Sequence, residues 1–241
     1  AGMAAAYQLR RMGHDATVFE ERAELGGMMR YGIPGYRIPR EKLAAEINRI
    51  VDMGVEVKTN TRVGKDISID QLEKDFDAVL WALGCWTGRG LPVDGWETAS
   101  NCVDGLSFLE AFNNGRMKVT GKKLVCIGGG DTSIDVVSVA RRIGFNADAG
   151  LPEAILNNNE TQDQSLADNA EPCDATLTSL FTKDKMMAAE HEIVDATEEG
   201  VTIYDGVMPL EVILGDDGRA TGLKVCDCTM DGMTPVPTEG T

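Results

Sequence analysis

The sequence predicts an α/β fold built on parallel sheets. Two observations predict it. The first is the apolar run Lys122-Lys123-Leu124-Val125-Cys126-Ile127, which ends in Gly128-Gly129-Gly130 and passes into Asp131-Thr132-Ser133-Ile134-Asp135. It reads as strand, tight turn and helix. The second is the alternation of short β-rich runs with amphipathic runs along the rest of the chain, the pattern of strands joined by crossover helices.

Gly128 and Gly130 fill the first two places of a G-x-G-x-x-G pattern, where a missing Cβ lets the chain turn sharply and a pyrophosphate approach the backbone. Ser133 takes the third place, where glycine or alanine is usual, so strand and helix must accommodate a hydroxyl. Beyond it Ile134, Val137, Ala140, Arg141 and Ile143 recur near helical spacing, and Gly144 stands where a C-terminal cap falls. The helix N-terminus therefore points at the glycine turn and offers an anion site. Glycine runs also punctuate ordinary turns, and it is the flanking strand and helix that give the pattern weight.

The chain has 241 residues, 43% of them hydrophobic, enough for a substantial core in one large or two small domains. A net charge of -16 argues against nucleic acid or an anionic membrane as a main partner. No apolar run approaches the ~20 residues of a membrane span, and no signal peptide opens the chain, so a cytoplasmic setting is expected. The six cysteines form no C-x-x-C pair. Cys226 and Cys228 share one face of an expected strand, as a metal pair or as ordinary packing.

From the start, Ala1 to Arg10 reads as a helix capped near Gly13, and Asp15 to Glu20 as a strand ending in a carboxylate. An acid at the end of the second strand of a dinucleotide fold hydrogen-bonds a ribose, and Glu20 has that place if Gly2 is the last glycine of a fingerprint. Glu20, Glu21 and Glu24 are equally readable as solvated surface acids. Residues 25–40, rich in glycine and proline and carrying three arginines, show no period and are expected to be irregular, as a ligand loop or as a connector. Arg40 to Met53 is an amphipathic helix, Val55 to Thr59 a strand, Ile69 to Asp75 a short helix, and Phe76 to Gly84 a further strand.

The series Val18-Phe19-Glu20, Gly26-Gly27-Met28 with Arg30-Tyr31-Gly32-Ile33-Pro34, Ala82-Leu83-Gly84, and Ile127 to Thr132 with Asp135 resembles the small subunit of glutamate synthase and its flavin-dependent relatives. The Arg-Tyr-Gly-Ile-Pro loop is the most specific part of the likeness. The resemblance implies two Rossmann-like domains of the disulfide-reductase flavoprotein type: an FAD domain over 1–115, an inserted NAD(P)H domain over 116–234, and a return to the first over 235–241. It assigns Gly2 and Glu20 to the adenosine end of FAD. Gly27, Met28, Arg30, Gly32 and Ile33 fall to the flavin side, and Ala82 and Gly84 to the crossover beside it. Gly128, Gly129, Gly130, Asp131, Thr132 and Ser133 form the pyridine nucleotide turn. Relatives carry a strand with a glycine turn ahead of this start and a flavin-binding segment after this end, so the likeness implies a fragment. Iron-sulfur clusters are then expected outside it or on a partner, a larger catalytic subunit. A thioredoxin-reductase-like enzyme and a non-catalytic nucleotide-binding subunit are the rival readings.

In the second half, residues 86–120 are turn-rich with a short helix near Leu106 to Phe112. Residues 146–174 are acidic, lack lysine and arginine, and are expected to be a solvated excursion or a docking surface for a basic partner. A strand is expected over Ala175 to Leu180, and a helix over Lys185 to Thr197 with Met186, Met187, Ile193 and Val194 inward. Strands at Val201 to Tyr204, Val207 to Leu214 and Ala220 to Cys228 follow, with Gly215-Asp216-Asp217-Gly218 as a hairpin turn. Relatives that use NADPH place two arginines after the strand equivalent to Ala175 to Ser179. Leu180 and Phe181 stand there, which favours NADH, although Lys183 and Lys185 lie within a turn.

Overall fold

The structure, a computed structural model, describes residues 1–158, 160–238 and 240–241. Asn159 and Glu239, within the expected insertion and return, lie outside the described residues. The chain forms two compact units, Ala1–Trp86 and Thr87–Thr241. This division by compactness differs from the expected division by cofactor near residue 115, because 87–115 packs with the second unit.

In the first unit, helix α1 (Gly2–Arg11) leads into strand β1 (Thr17–Phe19), and helix α3 (Arg40–Val51) leads into strand β2 (Glu56–Lys58). The two strands pair in parallel, Val18 opposite Val57. Leu43 and Ile47, one turn apart on α3, bury against Leu25, with Met3 of α1 and Val18 of β1 beside them. Two expectations fail here. The 25–40 stretch is not wholly irregular, since Met28–Tyr31 closes a single turn, α2, between Gly27 and Gly32. The expected strand at 76–84 has no ladder among the described residues: Leu80 and Leu83 are exposed, and Phe76 packs edge-on against Phe19. An apolar run alone does not make a strand without a neighbour to satisfy its backbone. Helix α4 (Ile69–Asp75) forms as expected, its first turn capped by Ser68 Oγ, which accepts from Gln71 N.

The second unit centres on helix α6 (Asp131–Ile143), in which every residue from Ile134 to Ala140 is buried. It is enclosed by helix α5 (Gly105–Asn113), helix α8 (Glu190–Glu198) and a parallel sheet of β3 (Lys123–Ile127), β4 (Asp174–Ser179) and β5 (Thr202–Asp205). β4 lies between the other two, with Cys126 opposite Leu177 and Leu177 opposite Ile203. Helix α8 starts later than expected: 183–185 form a 3-10 turn, Met186 is buried, and Met187 and Val194 are exposed. An antiparallel sheet follows, β6 (Val207–Leu214), β7 (Ala220–Asp231) and β8 (Thr234–Pro237). Of the segment expected to lead back to the first domain, 235–237 belong to the third strand of this sheet. Pro209 sits at a register shift of β6, where a strand tolerates its missing N–H. Cys226 and Cys228 are both buried on one face of β7.

The acidic insertion is built into this unit. Phe145 and Glu171 exchange backbone hydrogen bonds of 2.7 Å in both directions, closing its base. Helix α7 (Pro152–Asn158) sets Ile155 into the main core. Arg116 donates to Ile155 O at 2.7 Å, and Gln162 Oε1 accepts from Lys118 N and Val119 N. Glu153 is buried and ion-paired with Arg219 of the β6–β7 hairpin. Composition suggested solvation because the anchors are single residues among many polar ones. Ile155→Ala should therefore cost about 2–4 kcal/mol in urea unfolding. A loss below about 0.5 kcal/mol, the size of a surface substitution, would show that the insertion lies outside the core.

Candidate functional site

β3 ends at Ile127, and Gly128 donates its N–H to Thr178 O of β4 at 2.9 Å, so the turn starts beside the central strand of the parallel sheet. Gly128 has φ +145°, and a Cβ there would stand 2.4 Å from Ser133 Oγ. At Gly129 a Cβ would stand 2.5 Å from Ser179 Oγ. At Gly130, the N-cap of α6, a Cβ would meet nothing within 4 Å. The first two glycines serve the protein's own packing, and the third faces open space.

Ser133 fits its place because Gly128 yields the room for it. Its hydroxyl also hydrogen-bonds Cys126, although burial dominates and pushes that thiol up to about 12. Asp131 accepts from Ala189 N at 3.1 Å, and Gly129 O accepts from Ala188 N at 3.0 Å, so the segment before α8 is tied across the turn. Thr132 turns its methyl toward Gly105 at the start of α5, where a Cβ would stand 3.6 Å from it. Ser133 N–H already reaches Gly130 O at 2.9 Å, and the amides of Asp131 and Thr132 before it precede the first intrahelical acceptor; with the helix dipole they form an anion-binding end.

The first unit brings Gly2 and Ala82 together: a Cβ on Gly2 would lie 3.6 Å from Ala82 Cβ. Glu20 follows β1, its N–H on Lys58 O and its Oε1 accepting from Arg22 N at 2.9 Å. Gly27, at φ 54° and ψ -135°, would project a Cβ into open space. Gly32 differs, for Met28 Sδ fills the space a Cβ would need. Arg30 is committed to Leu25 O and Glu24 Oε2, both at 2.8 Å. Ile33 O accepts from Arg40 Nη2 at 2.7 Å, and Arg40 also donates to Met29 O and Ile38 O. Burial and the nearby Arg30 charge lower the Arg40 pKa. Gly84 at φ 76° backs onto Trp86 Nε1. Met28, Arg30, Gly32 and Ile33 thus shape the loop from within, and Gly27 is the position open to a ligand.

Sequence reasoning missed a stack in this unit: the Arg22 guanidinium lies 4.1 Å from the Trp86 ring and 4.6 Å from that of Tyr31. The Tyr31 hydroxyl, its pKa raised by burial, accepts from Glu24 N and donates to Glu24 O. Only the density of aromatics and arginines hinted at it.

A glycine turn between a strand of a parallel sheet and the N-terminus of a buried helix defines the second unit as a dinucleotide-binding α/β unit. The chain belongs to the pyridine nucleotide-disulphide oxidoreductase family, which matches residues 1–224. It is 40% identical over 226 residues to the NADP(+)-dependent formate dehydrogenase subunit beta of Moorella thermoacetica, covering 93% of this chain and 28% of that protein. Against the NAD-dependent dihydropyrimidine dehydrogenase subunit PreT of Salmonella typhimurium the identity is 39% over 214 residues, 88% of this chain and 45% of that one. The glutamate synthase (NADPH) small chain of Mycobacterium tuberculosis, the kind of relative the loop motif indicated, is 31% identical over 242 residues, 95% and 46%. The chain thus spans less than half the length of these curated relatives. The fold is shared with FprA of Mycobacterium tuberculosis, TM-score 0.73 at 13% identity over 99% of this chain and 64% of that one. Thioredoxin reductase of T. acidophilum shares it at TM-score 0.51 and 15% identity, over 94% and 67%.

Two predictions follow from the glycine and thiol geometry. Gly130→Ala should leave the melting temperature unchanged while weakening pyridine nucleotide binding, and Gly128→Ala should lower it by about 2–4 °C per kcal/mol of strain. Calorimetry and a binding isotherm on both variants separate the roles; equal destabilisation would contradict them. For the thiols, burial holds Cys126 near 12 and Cys173 near 11 against an ordinary 9.0, while Cys85 is exposed. The folded state keeps these protons longer than the unfolded chain, so its stability is unaffected below pH 9 and falls as pH rises from there toward 12. At pH 8 a thiol reagent should modify Cys85 quickly and reach the buried Cys173 only in denaturant.

Proposed function

We propose that the first unit holds FAD, that the second holds a reduced pyridine nucleotide, and that the chain is the electron-input part of a flavoprotein oxidoreductase. The observation that carries this reading is the pair of open glycines. In each loop the other fingerprint glycines are filled by the protein itself, and Gly27 and Gly130 alone among Gly26, Gly27, Gly32, Gly128, Gly129 and Gly130 leave a Cβ-sized space. A flat or anionic ligand fits there, and its approach explains why no side chain does. The cofactor domains are read as 1–115 for FAD and 116–234 for the nucleotide, with 235–241 leading back.

FAD, when bound, supplies an acceptor that takes a hydride and releases electrons singly. This chain's own residues bind and orient. The amides of Gly129 to Thr132 receive the nucleotide pyrophosphate, and Asp131 holds the Ala189 amide so that the segment before α8 keeps its place. Gly2 and Glu20 fall to the adenosine end of FAD, Ala82 and Gly84 to the crossover beside the cofactor, and the loop that Arg40 staples to the flavin side. No side chain is assigned a proton transfer. Electrons leave for iron-sulfur clusters or a larger catalytic subunit, as the names of subunits and small chains among the relatives support. A cytoplasmic setting goes with this reading; no helix among the described residues is long and apolar enough to cross a membrane.

NADH is the favoured nucleotide. Ser179 is buried with its Oγ accepting from Phe181 N, and Lys183, whose Nζ donates to Thr197 Oγ1 at 3.2 Å, and Lys185 are the cations that follow within a turn. Anaerobic titration of the intact protein should bleach a bound visible flavin band with either nucleotide, with the larger kcat/KM for NADH. Absence of flavin, or a flavin that stays oxidised, would refute the oxidoreductase reading. A ratio above about ten in favour of NADPH would show that lysines replace the arginine pair, the size expected of one charge-assisted hydrogen bond.

A further inference from the structure

The two units repeat one hydrogen-bonded device that nothing in the glycine motifs announces. In the first unit Arg10, in the last turn of α1, donates from Nε to Met53 O at 3.0 Å and from Nη1 to His14 O at 2.9 Å. In the second Arg141, in the last turn of α6, donates from Nε to Glu199 O at 2.9 Å and from Nη1 to Cys173 O at 2.5 Å. Met53 and Glu199 each precede a left-handed glycine, Gly54 at φ +91° and Gly200 at φ +88°. A Cβ on either would strike the guanidinium, at 2.9 Å from Arg10 Nη2 and 2.7 Å from Arg141 Nη2. Both arginines also lie three residues before a left-handed glycine that ends the helix, Gly13 and Gly144.

The sheet registers make these positions equivalent. Thr17 pairs with Glu56, two residues after Gly54, and Thr176 pairs with Thr202, two residues after Gly200. His14 and Cys173 each stand three residues before those threonines. By the same register Gly2 takes the place of Ser133, the third position of the glycine fingerprint, and Glu20 that of Ser179 at the end of the second strand. Residues 145–172 then drop out as the stretch that the second unit has and the first lacks.

We propose that Arg10 and Arg141 are equivalent positioning residues, one for each nucleotide site. Each guanidinium ties the C-terminal end of the phosphate-facing helix to the start of the second strand and to the turn before the third. A short helix pinned at one end by two fixed carbonyls has its other end aimed, and in both units that other end is the candidate site. The positive charge also complements the negative end of the helix dipole. Lysine cannot make the same contacts, since its single ammonium cannot span two carbonyls in a planar fork.

The proposal rests on the reading that the first unit holds FAD and the second the pyridine nucleotide. Its test is a crossed pair of variants in the intact protein. Arg141→Lys should raise the KM for pyridine nucleotide about tenfold with kcat and flavin content unchanged, and Arg10→Lys should raise the FAD dissociation constant about tenfold with the nucleotide KM unchanged. If either lysine variant does not fold, Gly54→Ala or Gly200→Ala displaces the same guanidinium by one methyl group, and the same crossed pattern is required. Variants that melt earlier yet keep both affinities would show that the arginines serve stability alone and overturn the proposal. A wild-type protein that binds neither ligand would remove the functional reading itself, and the proposal with it.

Discussion

The second unit depends on the space denied to a Cβ at Gly128 and Gly129. One contact admits Ser133 of α6 to the end of β3, and the other admits Ser179 of β4 to the same turn. Only with both in place can α6 press flat against the sheet and bury every residue from Ile134 to Ala140. With its middle buried, α6 presents at its N-terminus a polar end in which the amides of Asp131 and Thr132 precede the first intrahelical acceptor. Packing and ligand chemistry therefore meet within three glycines: two consumed by the fold, one left open to a ligand.

The same logic divides the first unit. The loop from Gly26 to Arg40 is held by its own side chains, with Arg30 on Leu25 O and Glu24, Arg40 on three carbonyls, and Met28 under Gly32. Charged side chains that a motif-based view would aim at a phosphate are spent on backbone oxygens. What they produce is a loop rigid enough to keep Gly27 at φ 54°, a conformation that few side-chain-bearing residues adopt. Arg30 and Arg40 act here as backbone staples, and Arg10 and Arg141 extend that use to the far ends of the two helices.

Much of this was legible in the sequence where periodicity and glycine chemistry agree. The strand, turn and helix from Lys123 to Ile143 and the cap at Gly144 follow from local rules, as do α3, α4 and the β6–β7 hairpin. Two of the errors share one cause, dependence on distant partners. Residues 76–84 have an apolar strand pattern, yet the ladder that would make them a strand is not formed among the described residues. The acidic stretch looked solvated because Ile155, Gln162 and Glu153 are isolated anchors whose partners, the 116–119 backbone and Arg219, lie far along the chain. Three of the four arginine ties join residues more than thirty positions apart, so no local spacing reveals them. They surface once the two sheet registers are compared.

The central claim is that the glycine turn at the N-terminus of α6 is the pyrophosphate site. Amide chemical-shift mapping by NMR, with NADH added to the intact protein, tests it most directly. The largest shifts should fall on the N–H groups of Gly129, Gly130, Asp131 and Thr132, saturating together with the binding isotherm. If those four amides stay in place while shifts gather elsewhere in the second unit, the turn serves packing alone and the account is wrong.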